Sequence, residues 1–249
     1  LSIRRQRQMC IRDRSNVLVR DKGIRGIVIK LGNMLRHFYE AEDLLVFGSG
    51  YSLALASYKA MECGKTGMEF AVGIPGSIGG AVYMNAGAYD GEMQNIVNCV
   101  KVMDLQGNER VLTAEELNFG YRKTSLQNSG LIVTEVTLKM PSGNKDEIKS
   151  KMDDFSHRRI SKQPLEMPSA GSMFKRPPGY FAGTLIDQAG LKGYTVGGAQ
   201  ISTKHAGFVV NVGGATAADV LQLIKDVQTK IKAGVGVELQ PEVLVIGEE

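Results

Sequence analysis

Residues 73–93 read GIPGSIGGAVYMNAGAYDGEM. The first eight, Gly73-Ile74-Pro75-Gly76-Ser77-Ile78-Gly79-Gly80, hold four glycines and a proline. Such a backbone adopts conformations closed to other residues and lets a ligand approach its N–H groups, so the segment suits a pyrophosphate. A purely structural glycine turn reads equally well from these eight residues alone. Their spacing departs from the dinucleotide fingerprint G-x-G-x-x-G between strand and helix, and from the phosphate loop G-x-x-x-x-G-K-[ST]. Neither a Rossmann domain nor a P-loop nucleotidase is supported. Beyond Ala81-Val82-Tyr83, the six residues Met84-Asn85-Ala86-Gly87-Ala88-Tyr89 are mostly small or polar and suit close contact with a flat ring system.

Working outward, residues 44–47 read as a buried strand ended by Gly48-Ser49-Gly50. Residues 52–63 then read as a helix with Gly64 at its C′ position. Further upstream, the β-branched runs 17–19 and 27–29 read as two strands joined by a turn at Asp21, Lys22 and Gly23. Downstream, residues 97–104 and 110–112 flank Gln106-Gly107-Asn108 as a hairpin, and Thr113 with Glu116 forms a capping-box pattern that opens a short helix. Residues 131–138 alternate and read as the last strand of a first domain. A charged helix over 144–160, followed by Pro164 and Pro168, marks the passage to a second domain. There a short helix at 185–189, a strand at 208–212, a long helix capped by Thr216 and a closing strand at 243–246 are expected. The long helix places Val220, Ile224, Val227 and Ile231 on one face. Helices and strands mix without a regular βαβ repeat, which predicts an α+β fold.

A chain of 249 residues with 43% apolar side chains is long enough for one large domain or two ordinary ones. The net charge of +4 comes from the start of the chain. Removing the five arginines and one aspartate of residues 1–14 from totals of 30 basic and 26 acidic residues leaves 25 of each. That balance gives no general case for nucleic acid or an acidic membrane surface. Cys10, Cys63 and Cys99 are odd in number and far apart, which fits neither a disulfide framework nor a zinc site; His37, His157 and His205 are scattered and suggest no metal cluster. We expect no metal. No apolar run approaches the ~20 residues of a membrane span, and the few cysteines fit reduced thiols, so a soluble cytoplasmic protein is expected. A monomer acting on a small molecule is expected as well, though composition carries no signal of either. Residues 1–14, LSIRRQRQMCIRDR, show neither strand alternation nor a helical stripe and read as a non-native segment similar to translated adapter sequence.

Residues 73–93 resemble the flavin-binding signature of the UDP-N-acetylenolpyruvoylglucosamine reductase (MurB) family. The same family supplies Tyr121-Arg122-Lys123-Thr124-Ser125, PSAGSMFK at 168–175, AGTLIDQAG at 182–190 and QPEVLVIG at 240–247, in the family order over residues 15–249. The resemblance implies a domain of the vanillyl-alcohol-oxidase/PCMH-like FAD-binding type over 15–143, then a smaller α+β substrate-binding domain over 144–249. It implies FAD as cofactor, NADPH as hydride donor, and reduction of UDP-N-acetylglucosamine enolpyruvate to UDP-N-acetylmuramate in bacterial peptidoglycan precursor synthesis. Strand 131–138 follows Gly130 directly, as in the shorter branch of the family without the extra tyrosine-bearing loop.

Carried over by position, Ser172 resembles the proton donor, and Arg122 and Glu242 the residues that hold and polarise the substrate carboxylate. Arginine, always charged and bidentate, suits a carboxylate gaining electron density. A serine hydroxyl can quench an enolate because the enolate is strongly basic. Glu242 either orients this network as an anion or stabilises an enol as an acid. For flavin, the resemblance implies Ser15 and Asn16 in an upstream turn, Gly73, Ile74, Pro75, Gly76, Ser77, Gly79 and Gly80 in the glycine-rich segment, and Asn85, Ala86 and Gly87 after it. Tyr121, Lys175 and Gln200 are expected to contact substrate, Lys175 as a point charge for the diphosphate. Asp13 and Arg14 stand where family members carry glycines before Ser15-Asn16, so weakened FAD binding is expected of the chain as written. Two other readings are weighed: a catalytically defective UDP-sugar-binding remnant, which keeps Lys175 and its surroundings, and another flavin oxidase of the same fold, which keeps residues 73–80 but should lack the combined Ser172, Arg122 and Glu242 pattern.

Overall fold

The computed structural model describes residues 16–249. The segment 1–14 and Ser15 lie outside the described residues. The chain divides into two compact units, one of residues 29–159 and one that joins residues 16–28 to 160–249.

In the first unit a five-stranded antiparallel sheet runs in the order Phe38–Ala41, Leu44–Gly48, Ile132–Lys139, Val97–Met103, Glu109–Thr113. Strand Ile132–Lys139 sits at the centre and buries Val133, Val136 and Leu138; Val136 and Leu138 share a face by alternation, and a register shift opposite Lys101 and Val102 brings Val133 in with them. That face packs on Leu53, Ala56 and Ala60 of the helix Leu53–Glu62 and on Ile78, Ala81 and Val82 of the helix Ile78–Tyr83. The first helix starts where expected: Ser52 accepts from Leu55 N, and Gly64 carries φ +67° beyond the C-cap. The hairpin at Gln106-Gly107-Asn108 is closed by Asp104 Oδ1, which accepts from Gln106 N and Asn108 N at 2.9 Å each.

Two local expectations are corrected, and two elements were not expected. Thr113 and Glu116 do form the reciprocal capping bonds, but the residues after them make a turn instead of a helix. Residues 27–29 form no strand, and Ile27 is 92% exposed. The reason is that Val17–Val19 already pairs in parallel with Leu244–Ile246, while Arg20 N donates to Ile246 O and Glu248 N to Gly23 O. The turn at Asp21 therefore leads to the C-terminal segment and not into a hairpin. The strand Phe38–Ala41 escaped the sequence reading because its two middle residues are exposed, and the helix Ile78–Tyr83 because glycines occupy its first turn.

The helix Lys145–Lys162 packs Ile148, Met152 and Phe155 against Val72. That burial ties it to the first unit, whose limit falls at Arg159, inside the helix. In the second unit a four-stranded antiparallel sheet has the order Thr195–Val196, Ala199–Ile201, Phe208–Asn211, Ser169–Ser172. It packs on the helices Ala182–Gln188 and Ala217–Val235. The long helix buries Val220, Leu223, Ile224, Val227 and Ile231, each worth roughly 1.5–3 kcal/mol of burial. Its start carries a capping box between Thr216 and Asp219, and Gly236 ends it at φ +72°. Leu18 joins this core, so the strand Val17–Val19 belongs with the C-terminal residues. Helices and antiparallel sheets in both units make the fold α+β.

Candidate active site

The glycine-rich segment lies in the first unit and is braced from beneath. Ile78 N donates to Tyr51 O and Gly79 N to Ser49 O, both at 2.9 Å. A Cβ on Gly79 would lie 2.7 Å from Ser49 Cβ, so this glycine serves close packing between two backbone turns. Ser77 caps the helix Ile78–Tyr83, its hydroxyl accepting from Gly80 N at 3.3 Å. Four of the segment's amides, those of Ile74, Ile78, Gly79 and Gly80, thus donate within the protein. Gly73 and Gly76 have φ of +73° and +113°, where a side chain would be strained. The turn Gly48-Ser49-Gly50 was read in the sequence only as a strand end. Its two glycines were the available signal of its bracing role, since a Cβ on Gly48 would lie 2.5 Å from Leu35 O.

Asn85, expected near flavin, is fully buried with φ +42°. Its Nδ2 donates to Glu92 Oε2 and to Gly120 O at 3.0 Å, and its Oδ1 accepts from Gln94 N at 3.0 Å. The side chain therefore holds the loop, and its carbonyl faces Arg122. Arg122 sits at the tip of a two-residue turn closed by Gly120 N donating to Lys123 O at 2.9 Å and Lys123 N to Gly120 O at 3.1 Å. There it takes φ +55°. Its Nη1 donates to Asn85 O at 3.2 Å and its Nη2 to Gly87 O at 3.0 Å, while the guanidinium lies 5.1 Å from the centroid of the Tyr121 ring. Left-handed non-glycine residues at 85, 89, 90 and 122 concentrate strain around this loop. Each costs ~1–3 kcal/mol, and such strain clusters at ligand sites. Ala86 belongs to the same loop, its carbonyl accepting from Met93 N at 3.0 Å. A Cβ on Gly87 would meet Gly91 O at 2.7 Å.

In the second unit, Ser172 ends the strand Ser169–Ser172 and is exposed. Beyond it, Phe174 and Pro241 form an antiparallel bridge, Glu242 N donates to Met173 O at 2.8 Å, and Lys175 N donates to Gln240 O at 2.8 Å. Glu242 thus lies opposite Met173, one residue along from Ser172, from which it is 70 positions away in the chain. Asn16, expected near flavin, donates from Nδ2 to Glu242 O at 3.1 Å and so holds that stretch of backbone. Gln200 lies on the strand Ala199–Ile201 with its Nε2 donating to Thr195 Oγ1 at 3.0 Å. Arg122 and Tyr121 belong to the first unit, and Ser172, Lys175, Gln200 and Glu242 to the second. Among the described residues no group of three or more His, Cys, Asp or Glu could hold a metal ion, and no helix is long and apolar enough to cross a membrane.

The positive-φ glycines and the small residues at 86–88 fit a flavin, whose flat ring and phosphates require close backbone approach. Residues 5–113 match the family model described as FAD binding domain, and residues 163–246 match UDP-N-acetylenolpyruvoylglucosamine reductase, C-terminal domain. The UDP-N-acetylenolpyruvoylglucosamine reductase of Clostridium perfringens strain SM101 is 52% identical over 235 residues, 94% of this chain and 77% of that protein. The reductase of Pediococcus pentosaceus is 49% identical over 241 residues, 94% of this chain and 78% of that protein. Among solved structures, the crystal structure of UDP-N-acetylenolpyruvylglucosamine reductase from Thermus caldophilus superposes with a TM-score of 0.81 at 41% identity, covering 93% of this chain and 82% of that one. With an FAD-binding model on the glycine-rich half, a reductase-specific model on the half that carries Ser172 and Glu242, and relatives spanning both, the chain belongs to the UDP-N-acetylenolpyruvoylglucosamine reductase family.

Proposed function

We propose that this chain, as a monomer, reduces UDP-N-acetylglucosamine enolpyruvate to UDP-N-acetylmuramate with FAD as cofactor and NADPH as hydride donor, a step of peptidoglycan precursor synthesis. The observation that supports the reading is the bond from Glu242 N to Met173 O, which brings the Glu242 backbone beside the stretch that carries Ser172 in a chain of this family. FAD, when bound, supplies hydride transfer to the terminal carbon of the enolpyruvyl group. Gly73 to Ser77, Gly79, Gly80 and Asn85 to Gly87 would hold it, with the Asn85 side chain keeping the loop in shape. Arg122 binds the substrate carboxylate and favours the charge that builds on it, being held in place by the carbonyls of Asn85 and Gly87. Ser172 Oγ holds the proton delivered to the carbon that does not receive hydride. Glu242 orients that hydroxyl. Lys175 supplies a point charge to the substrate diphosphate, and Tyr121 and Gln200 line the same substrate.

The test is oxidation of NADPH by purified chain supplied with FAD, with and without the enolpyruvyl substrate. Substrate-dependent oxidation with formation of the lactyl ether is expected. Oxygen consumption that ignores the substrate would identify an oxidase instead, and substrate binding without turnover would leave a UDP-sugar-binding protein.

A further inference from the structure

Gln127 is partly buried and stands two residues beyond the stretch 121–125 that carries Arg122. Its Nε2 donates to Arg122 O at 3.1 Å and to Tyr83 O at 3.2 Å, with Met84 Sδ beside them at 3.6 Å. Both oxygens are carbonyls, which only accept, so the NH2 end of the side chain must face them and both of its protons are used. Tyr83 ends the helix Ile78–Tyr83, and its carbonyl also accepts from the buried Thr124 hydroxyl at 2.8 Å. One amide therefore ties the turn of Arg122 to the helix that the glycine-rich segment enters. At φ +55° Arg122 holds a left-handed conformation that a residue with a side chain keeps only where its surroundings over-determine it. Its guanidinium reaches Asn85 O and Gly87 O, two and four positions beyond Tyr83. Root and head of the side chain are thus referred to the same stretch of backbone, residues 83–87, and Gln127 supplies a link at the root. A small shift of the turn is magnified along so long a side chain, so where the guanidinium stands depends on how firmly the main chain of residue 122 is held.

We propose that Gln127 is a positioning residue for the reduction, fixing the main chain of Arg122 so that its guanidinium meets the substrate carboxylate in the productive place. The inference rests on the role given to Arg122 above. The experiment uses the full chain supplied with FAD, the variants Gln127→Met and Gln127→Glu, which lack the NH2 group at similar size, and Arg122→Lys alone and combined with Gln127→Met. Circular dichroism checks folding, and rapid mixing separates flavin reduction by NADPH from reoxidation by the enolpyruvyl substrate. Calorimetry compares binding of that substrate with binding of UDP-N-acetylglucosamine, which lacks the carboxylate. Reoxidation is expected to slow by about tenfold to a hundredfold in Gln127→Met, with flavin reduction at the wild-type rate and the UDP-N-acetylglucosamine affinity unchanged. Gln127→Glu should lose at least as much, because its carboxylate faces two carbonyls. On top of Arg122→Lys the same Gln127→Met change should cost less than about twofold, since its effect runs through the arginine.

A folded Gln127→Met variant with wild-type reoxidation overturns the proposal. Equal slowing of both half-reactions, equal weakening of both ligands, or the same loss in the Arg122→Lys background makes Gln127 a packing residue and overturns it too. If one Gln127 variant fails to fold, the other decides; if neither folds, the residue serves stability and the proposal falls. Slow reoxidation in Arg122→Lys beside normal Gln127 variants sinks this inference alone. A wild-type rate in Arg122→Lys, or no substrate-dependent reoxidation in the wild-type chain, removes the reading on which it rests.

Discussion

Glu242 donates its backbone N–H to Met173 O at 2.8 Å, which fixes the carboxyl-bearing residue one position along from Ser172 on the facing backbone. If Ser172 supplies the final proton, Ser172→Ala lowers turnover by about 10²–10⁴-fold. Rapid mixing separates the steps: reduction of the flavin by NADPH should proceed at the wild-type rate, and reoxidation by the enolpyruvyl substrate should be slowed. Equal slowing of both steps would remove Ser172 from the proton-donor role.

Arg122 reaches Asn85 O and Gly87 O with two different nitrogens, a geometry lysine cannot copy. Arg122→Lys keeps the charge and is expected to lower kcat/KM on the order of a hundredfold, because the cation no longer holds its place when the carboxylate gains charge. Steady-state kinetics across substrate concentration decide this. A variant with unchanged kcat/KM would show that one positive charge suffices.

Asp21, in the turn after the strand Val17–Val19, accepts Ala217 N at 2.8 Å and Ala218 N at 3.0 Å, placing a carboxylate on the first turn of the helix Ala217–Val235. Asp21→Ala removes these acceptors and should lower stability by ~1–2 kcal/mol. Urea unfolding followed by circular dichroism measures it; a loss below experimental error would mean that the Thr216–Asp219 box alone suffices.

His205 Nδ1 accepts Gly207 N at 3.1 Å, so the bond requires the neutral ring protonated at Nε2. Burial lowers its pKa most, Lys192 and Lys162 add to this, and a hydrogen bond to its own backbone opposes them. A histidine whose folded pKa is depressed stays neutral in the fold while the unfolded chain takes up a proton. Its contribution is complete above the ordinary value of about 6.5 and is lost as pH falls through the lower folded pKa. Melting temperatures from pH 7.5 down to 5 should drop more steeply for the wild type than for His205→Gln. Parallel curves would refute this.

Short-range features were legible in the chain. Ser52 and Gly64 bracket a helix, Gln106-Gly107-Asn108 turns a hairpin and Thr216 caps the long helix, because each depends on backbone groups a few residues away. The chemistry-bearing residues were legible only through the resemblance, since a serine, an arginine and a glutamate have ordinary surface readings when taken singly. Their partners were not legible at all. That Asn85 braces its own loop, that Arg159 takes an apolar position, and that Asn16 holds the carbonyl of Glu242 across 226 residues follow from how the two cores collapse. Periodicity says which face of an element is buried, whereas the identity of what covers it is set by long-range packing, to which local spacing is blind.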